Sequence, residues 1–342
     1  MSTTPRRVAI RRDVVAPGGT VGTLPVSQRA MNRPMLRSAL LLMAVLAACT
    51  RADEENAVRR GDQAFAQGIF EEALAEYRLA VRQGADDPET AARVAHTYAL
   101  MGRVDDAGAY YKDAVAREPQ LADQAITDLM HLAGSAHAAG DRFAMATAVE
   151  TALEIQPGIG VGDMGLALAR HYFTNGEYGR ALPFYQWALA GARDSLPEIV
   201  FEVGRAHEEI GDCEHALLFF ERFRQMVRPS ERGEVDWYIG TCAFNMARDL
   251  GGGTLGPQQL ERALELIDRT VEVGEPRNIQ AQAWFEKGEI LAELGRCQEA
   301  MESYAQVRYA DQAGSLVDRA QSRFDEIRFG TGLEHLREGR CR

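Results

Sequence analysis

The sequence predicts an all-α protein built from about seven stacked helical hairpins and closed by one further helix. Three observations carry that expectation. First, a motif returns at a fixed period: Gly61, Gly68, Ala73, Tyr77 and Ala80 are each followed 34 residues later by Ala95, Gly102, Ala107, Tyr111 and Ala114. Self-similarity at that period marks stacked pairs of helices. Second, apolar residues make up 46% and charged residues 26% of the 342-residue chain, the balance of a folded protein. Third, no stretch of useful length alternates apolar and polar residues as a half-buried strand would.

The copies drift as they continue. In the third, Gly140, Ala152 and Pro157 stand 38 residues after their predecessors, which predicts a short loop lengthened by four. Gly176, Ala181, Tyr185 and Ala188 mark a fourth hairpin in "YFTNGEYGRALPFYQWAL", and Gly204, Gly211, Ala216 and Phe220 a fifth. Gly240 and Ala263 mark the sixth; Trp284, Gly288, Gly295, Ala300 and Tyr304 form the seventh. The following "GSLVDRAQSRFDEIRF" has apolar residues at helical spacing and is expected to cap the open end of the stack. Two departures stand out. Ala216 and Ala263 are 47 residues apart, about a dozen too many, and the excess is expected in "NMARDLGGGTLGPQQ", between the helices of the sixth hairpin. Pro183 falls inside the second helix of the fourth, where it should kink or shorten it.

These small and aromatic positions resemble the tetratricopeptide repeat (TPR), whose paired antiparallel helices approach through small residues while an aromatic fills the gap between hairpins. The resemblance covers roughly residues 54–310. It implies a right-handed α-solenoid, here placed over residues 56–330, in which the first helix of each hairpin lines a concave groove for a peptide or helix. Carried over position by position, the groove candidates are Phe65, His96, Met130, His137, Leu166, Arg170, Phe173, Phe201, Arg205, Glu208, Trp237, Thr241, Phe244, Asn245, Phe285 and Glu289. Arg170, Phe173, Phe201, Arg205, Trp237, Phe244 and Phe285 form the aromatic and arginine-rich part, a composition typical of interface hot spots. Family members that bind chaperone tails clamp a terminal carboxylate with Lys and Asn; that set is absent here.

The start of the chain reads differently from its body. Residues 1–48 hold seven arginines and a single acid, Asp13, leaving the body 31 basic and 49 acidic side chains. A body this acidic repels phosphate backbones and excludes nucleic acid as the main partner. The apolar run Ser38 to Ala48 is about half the roughly 20 residues that span a bilayer. With Arg33 and Arg37 before it, the segment has the shape of a secretory signal over residues 31–48. Its end, Leu46-Ala47-Ala48-Cys49, resembles the lipobox of bacterial lipoproteins, in which the Cys is acylated and becomes the mature N-terminus. Thr50 after it, in place of Asp, implies sorting to the outer membrane in that family. Residues 1–30 are read as a disordered, over-extended start, 49–55 as a lipid-anchored linker and 331–342 as a C-terminal tail.

No chemistry emerges along the body. Two stretches match G-x-G-x-x-G, Gly160-Gly162-Gly165 and Gly251-Gly253-Gly256, but neither follows a strand, and both read as turns between helices. The string "HEEIGDCEH", His207 to His215, has Gly211 where a zincin helix needs its second His, and its two histidines fall on different helices. No Ser, Cys or carboxylate pair is arranged as a catalytic unit. Neither an enzyme, a cofactor, a metal nor a small-molecule substrate is expected. Once Cys49 is lipidated, Cys213, Cys242, Cys297 and Cys341 remain, an even count that suggests disulfides in an exported domain. Three connectivities are open, as are four free or buried thiols. Hairpin placement favours Cys213–Cys242 and Cys297–Cys341. The function expected is a lipid-anchored periplasmic scaffold that docks protein or peptide partners, serving outer-membrane or envelope complex assembly. The alternative is an accessory or regulatory subunit of an envelope enzyme or of a cell-wall or motility complex.

Overall fold

A computed structural model describes residues 56–191, 196–250, 255–311, 314–329 and 341. The expected signal segment, Cys49 and its linker lie outside these residues, as do 251–254 of the sixth hairpin's connection and 330–340 of the tail. The described residues contain fifteen α-helices and no strand. Helix α1 covers residues 56–66. There follow α2 (Phe70–Gln83), α3 (Pro88–Leu100), α4 (Val104–Arg117), α5 (Ala122–Ala139), α6 (Arg142–Ile155), α7 (Met164–Thr174) and α8 (Tyr178–Gly191). The second half holds α9 (Pro197–Glu209), α10 (Cys213–Met226), α11 (Gly233–Leu250), α12 (Pro257–Val273), α13 (Arg277–Glu293), α14 (Cys297–Ala310) and α15 (Ser315–Phe329). Consecutive helices pair as seven hairpins, and α15 packs on α14 and α13 as the cap. No described helix is long and apolar enough to cross a membrane.

Two local features explain why these residues make hairpins. Six of the seven hairpins turn on a glycine in the left-handed region: Gly68, Gly102, Gly140, Gly176, Gly211 and Gly295 have φ between 73° and 80°. That conformation is costly for other residues. Within hairpins one, five and seven, an aromatic ring of the second helix lies directly on a glycine of the first. A Cβ on Gly61 would sit 2.5 Å from the Tyr77 ring, one on Gly204 2.6 Å from Phe220, and one on Gly288 2.5 Å from Tyr304. Gly240 of α11 meets backbone instead of a ring: a Cβ there would overlap the carbonyl oxygen of Glu275, in the connection between α12 and α13. The rings are buried, as are Tyr111 and Tyr185 at the same place in their own hairpins.

Three expectations need correction. The four extra residues of the third hairpin do not lengthen a loop: α5 has 18 residues against 13 in α3. Most of the excess in the sixth goes the same way, with 18 residues in α11 and 17 in α12, against 13 and 14 in α9 and α10. About four residues make one helical turn, so the added length leaves the facing of the helix unchanged. Nor does Pro183 shorten its helix. Helix α8 runs through it for 14 residues, and the proline is exposed near the N-terminal end, where water can take the place of the lost bond.

Both favoured cysteine pairs are bonded. Cys213, the first residue of α10, joins Cys242 in α11 across a Cα separation of 5.2 Å. Cys297, the first residue of α14, joins Cys341 across 5.4 Å, and the Cys341 N–H donates to the Ala292 carbonyl at 3.1 Å. The loops closed span 29 and 44 residues, long enough for each link to stabilise the fold by about 3–4 kcal/mol on chain-entropy grounds.

The glycine seats give a direct test. Gly288→Ala forces a methyl group into the Tyr304 ring and should cost about 1–3 kcal/mol, read as a lower urea midpoint at an unchanged slope. The same change at exposed Gly179, where an added Cβ meets nothing within 4 Å, should leave the midpoint within experimental scatter or raise it.

Candidate partner-binding site

The first helices of successive hairpins are tied edge to edge by polar contacts. Asp62 of α1 faces Arg93 of α3 at 3.5 Å, and His96 of α3 meets Asp128 of α5 at 2.6 Å. Arg170 of α7 meets Glu202 of α9 at 3.0 Å, and Glu289 of α13 meets Arg323 of α15 at 2.7 Å. The buried tyrosines of the second helices donate to the same acids: Tyr77 to Asp62 at 2.7 Å, Tyr185 to Glu202 at 2.9 Å, Tyr304 to Glu289 at 2.5 Å, and Tyr111 to Asp128. Burial pushes the Asp128 carboxyl up, but the hydrogen bonds from His96 and Tyr111 outweigh it and hold the group below its ordinary 3.8. The hydrogen bond to Asp128 raises His96 above its ordinary 6.5, against the opposing effect of burial.

Between α9 and α11 the tie is aromatic. Tyr238 stacks on Phe220 at 5.1 Å, with Phe201 at 5.8 Å and Trp237 edge-on at 5.1 Å. The Arg205 guanidinium lies over the Tyr238 ring at 4.8 Å and also pairs with Glu209 at 3.1 Å. Phe201 packs further onto Phe223, and Phe173 meets Tyr178 and Tyr185 edge-on. The structure thus gathers Phe201, Arg205 and Trp237 into one patch, with Arg170 beside it through Glu202. Trp237 keeps 43% of its surface exposed, while Phe201 and Phe173 are half-buried. Burial raises the nearby Glu208, with Glu209 adding to the shift.

Two candidates do not belong to an accessible face. Phe244 is 4% exposed, packed in the core that α10, α11 and α12 share. Phe285 is 7% exposed and lies beneath the Arg319 guanidinium of α15, so the cap covers the position that would otherwise end the groove. Conversely, Tyr238, the ring around which the patch is built, was not among the sequence candidates. The only signal for it was its place beside Trp237.

The turn of the fifth hairpin also differs from expectation. His207 and His215 do fall on different helices, α9 and α10, yet the turn brings their rings into a stack 5.2 Å apart, with Asp212 against both. Among the described residues this is the one group of His, Cys, Asp or Glu with the spacing of metal ligands. Of the first G-x-G-x-x-G stretch, Gly160 and Gly162 lie in the loop between α6 and α7, and Gly165 is the second residue of α7.

Two family models described as tetratricopeptide repeat match the chain, one over residues 166–230 and 258–315 and the other over 88–121. Among solved structures, the C-terminal part of a TPR repeat-containing protein from Cytophaga hutchinsonii is similar at 14% identity. The match covers 77% of this chain and 98% of that one, with a TM-score of 0.31. A tetratricopeptide repeat protein from Parabacteroides merdae gives 13% identity, 79% and 98% coverage and a TM-score of 0.28. The TPR2AB domain of yeast Sti1, solved as a complex with pHSP90, gives 15%, 81% and 97%, and 0.31. No curated protein sequence matches the chain.

The His96–Asp128 pair predicts a pH dependence. A histidine whose folded value is raised stabilises fully below 6.5 and loses that contribution as pH rises through the raised value. A depressed Asp contributes above 3.8 and loses it as pH falls. The stability difference between wild type and His96→Leu should therefore be largest between these limits and shrink from pH 6 to pH 8, measured as urea midpoints.

Proposed function

Because the chain belongs to the tetratricopeptide repeat family, we propose that it works as a docking scaffold that takes an extended protein segment along its first-helix face. The observation that carries this reading is Trp237, large, apolar and 43% exposed, edge-on to Tyr238, the ring that Phe201 and Arg205 pack against. A rigid, amphipathic ring supported from below is the usual form of an interface anchor. The arginines of the face are engaged within the chain, Arg170 by Glu202 and Arg205 by Glu209 and Tyr238. Glu208, Glu209 and Glu234 line the same two helices. The segment best suited to the face is one with an apolar side chain for Trp237, flanked by basic residues.

The proposed setting is the periplasmic side of a bacterial outer membrane, with a lipid on Cys49 and a role in assembling envelope complexes. Support comes from the lipobox-like Leu46-Ala47-Ala48-Cys49 and from two disulfides, bonds that persist in oxidising compartments. Six residues, Thr50 to Glu55, join Cys49 to α1 and reach at most about 20 Å. Acyl chains contribute about 0.8 kcal/mol per buried methylene, so two or more anchor stably. The repeats would then stand close to the membrane surface.

Two experiments test these readings separately. In-cell crosslinking should capture one envelope protein with wild type, and Trp237→Ala should weaken that capture by about 2 kcal/mol or more, roughly thirtyfold. Identical partners in both would rule the face out. Labelled palmitate should enter the wild-type chain and not Cys49→Ser, which should leave the membrane fraction. Label retained by the variant would remove the proposed anchor.

A further inference from the structure

The turn of the fifth hairpin carries a set of side chains that the partner-binding face does not use. Gly211 turns the chain at φ 80°, and Asp212 caps α10 by accepting the His215 N–H at 3.2 Å. The Asp212 carboxylate reaches both imidazoles. Its Oδ2 lies 3.1 Å from His207 Nδ1 and 2.8 Å from His215 Nδ1. The planes of the two rings are 20° apart, and His207 lies flat on Phe219 at 5.6 Å. One ligand atom from each of the three residues falls within 4.8 Å of the others. Next to Asp212, the Cys213–Cys242 bond fixes the turn to α11, so the group is held by three helices.

Other turns of the array lack this arrangement. Four residues before the turn glycine stand Ala64, Tyr98, Ala136, Tyr172 and Leu291, all buried and none an imidazole or a carboxylate. Here the position is His207, whose side chain is only 12% exposed. Four residues after the glycine the other hairpins carry Glu72, Asp106, Ala144, Arg180 and Glu299. Satisfying one buried histidine requires only Asp212. The second imidazole, on the far helix and aimed at the same oxygen, is what makes the group a ligand set.

We propose that His207, Asp212 and His215 bind one zinc ion through the two Nδ1 atoms and a carboxylate oxygen, with water in the fourth position. Imidazole and carboxylate are ordinary zinc ligands. Tetrahedral bonds of about 2.0–2.2 Å place ligand atoms about 3.3 Å apart. The two histidine-to-carboxylate separations, 2.8 and 3.1 Å, need open by only a few tenths of an ångström, while the imidazoles, whose ligand atoms lie within 4.8 Å of one another, draw together onto the ion. Cys213 is engaged in its disulfide and is not a ligand. The ion would clamp the end of α9 to the start of α10.

The test uses the full chain without a histidine tag, stripped of metal and kept oxidised, titrated with zinc against a chromophoric chelator. Wild type should bind one ion at micromolar affinity or tighter. His215→Ala and Asp212→Asn should each weaken binding at least about tenfold. Asn keeps the helix cap, so the second variant separates the loss of a ligand from damage to the turn. His131→Ala, remote from the site, should bind as wild type does. Zinc should also raise the thermal midpoint of wild type and not that of His215→Ala. No stoichiometric binding, or binding that both ligand variants retain, overturns the assignment.

Discussion

Five of the seven hairpins depend on one large ring of the second helix seated against a small residue of the first; the third and sixth bury Val149 and Ile267 at that place. Tyr77 on Gly61, Phe220 on Gly204 and Tyr304 on Gly288 show the contact at its closest. Burying such a ring contributes about 1.5–3 kcal/mol, and the missing Cβ lets the helices come close enough to bury it on both sides. A tyrosine there brings a hydroxyl into the interior, and a buried hydroxyl without a partner costs about 1–3 kcal/mol. Tyr77, Tyr111, Tyr185 and Tyr304 each donate to a carboxylate on a first helix. The ring is therefore matched by an acid on the first helix of its own hairpin, for Tyr77 and Tyr304, or of the next, for Tyr111 and Tyr185.

That acid in turn organises the face. Asp62, Asp128, Glu202 and Glu289 each draw a basic group from an adjoining helix, Arg93, His96, Arg170 and Arg323 respectively. The result is a ladder of ion pairs whose members are engaged with one another. Hairpin five breaks the rule. Its ring is Phe220, which has no hydroxyl and needs no acid. Tyr238 stacks on Phe220 instead, and Arg205 lies over Tyr238. Loss of one oxygen atom thus changes the tie from ionic to aromatic and leaves Trp237 standing on the surface beside it.

The period was legible because packing demands it: Gly, Ala and aromatic residues recur at positions fixed by contact. Length was harder to read. A helix extended by about one turn and a loop extended by four residues leave the same spacing between motifs, so spacing alone does not tell a longer α5, α11 or α12 from a longer loop. Phe244 and Phe285 sit at groove positions of their own helices, but their burial is decided by neighbours distant in sequence, α12 in one case and α15 in the other. His207 and His215 belong to different helices, so the pattern of either helix alone hides their pairing. Their spacing held the missing signal, since each lies four residues from Gly211, and an antiparallel turn folds such a pair face to face.

The cysteine links are unevenly placed. Hairpins one to four contain no cysteine, whereas two covalent bridges fall within hairpins five to seven and their cap. Under a pull between the two ends, the backbone from 213 to 242 and from 297 to 341 cannot lengthen beyond its bridged span. Every residue released from the first four hairpins adds about 3.3–3.6 Å of extended chain. Stacked repeats unravel from a weak end, neighbour by neighbour. The side nearest Cys49 can therefore pay out chain along its whole length, whereas the other side holds two bridged segments that cannot extend, with residues 243–296 unbridged between them.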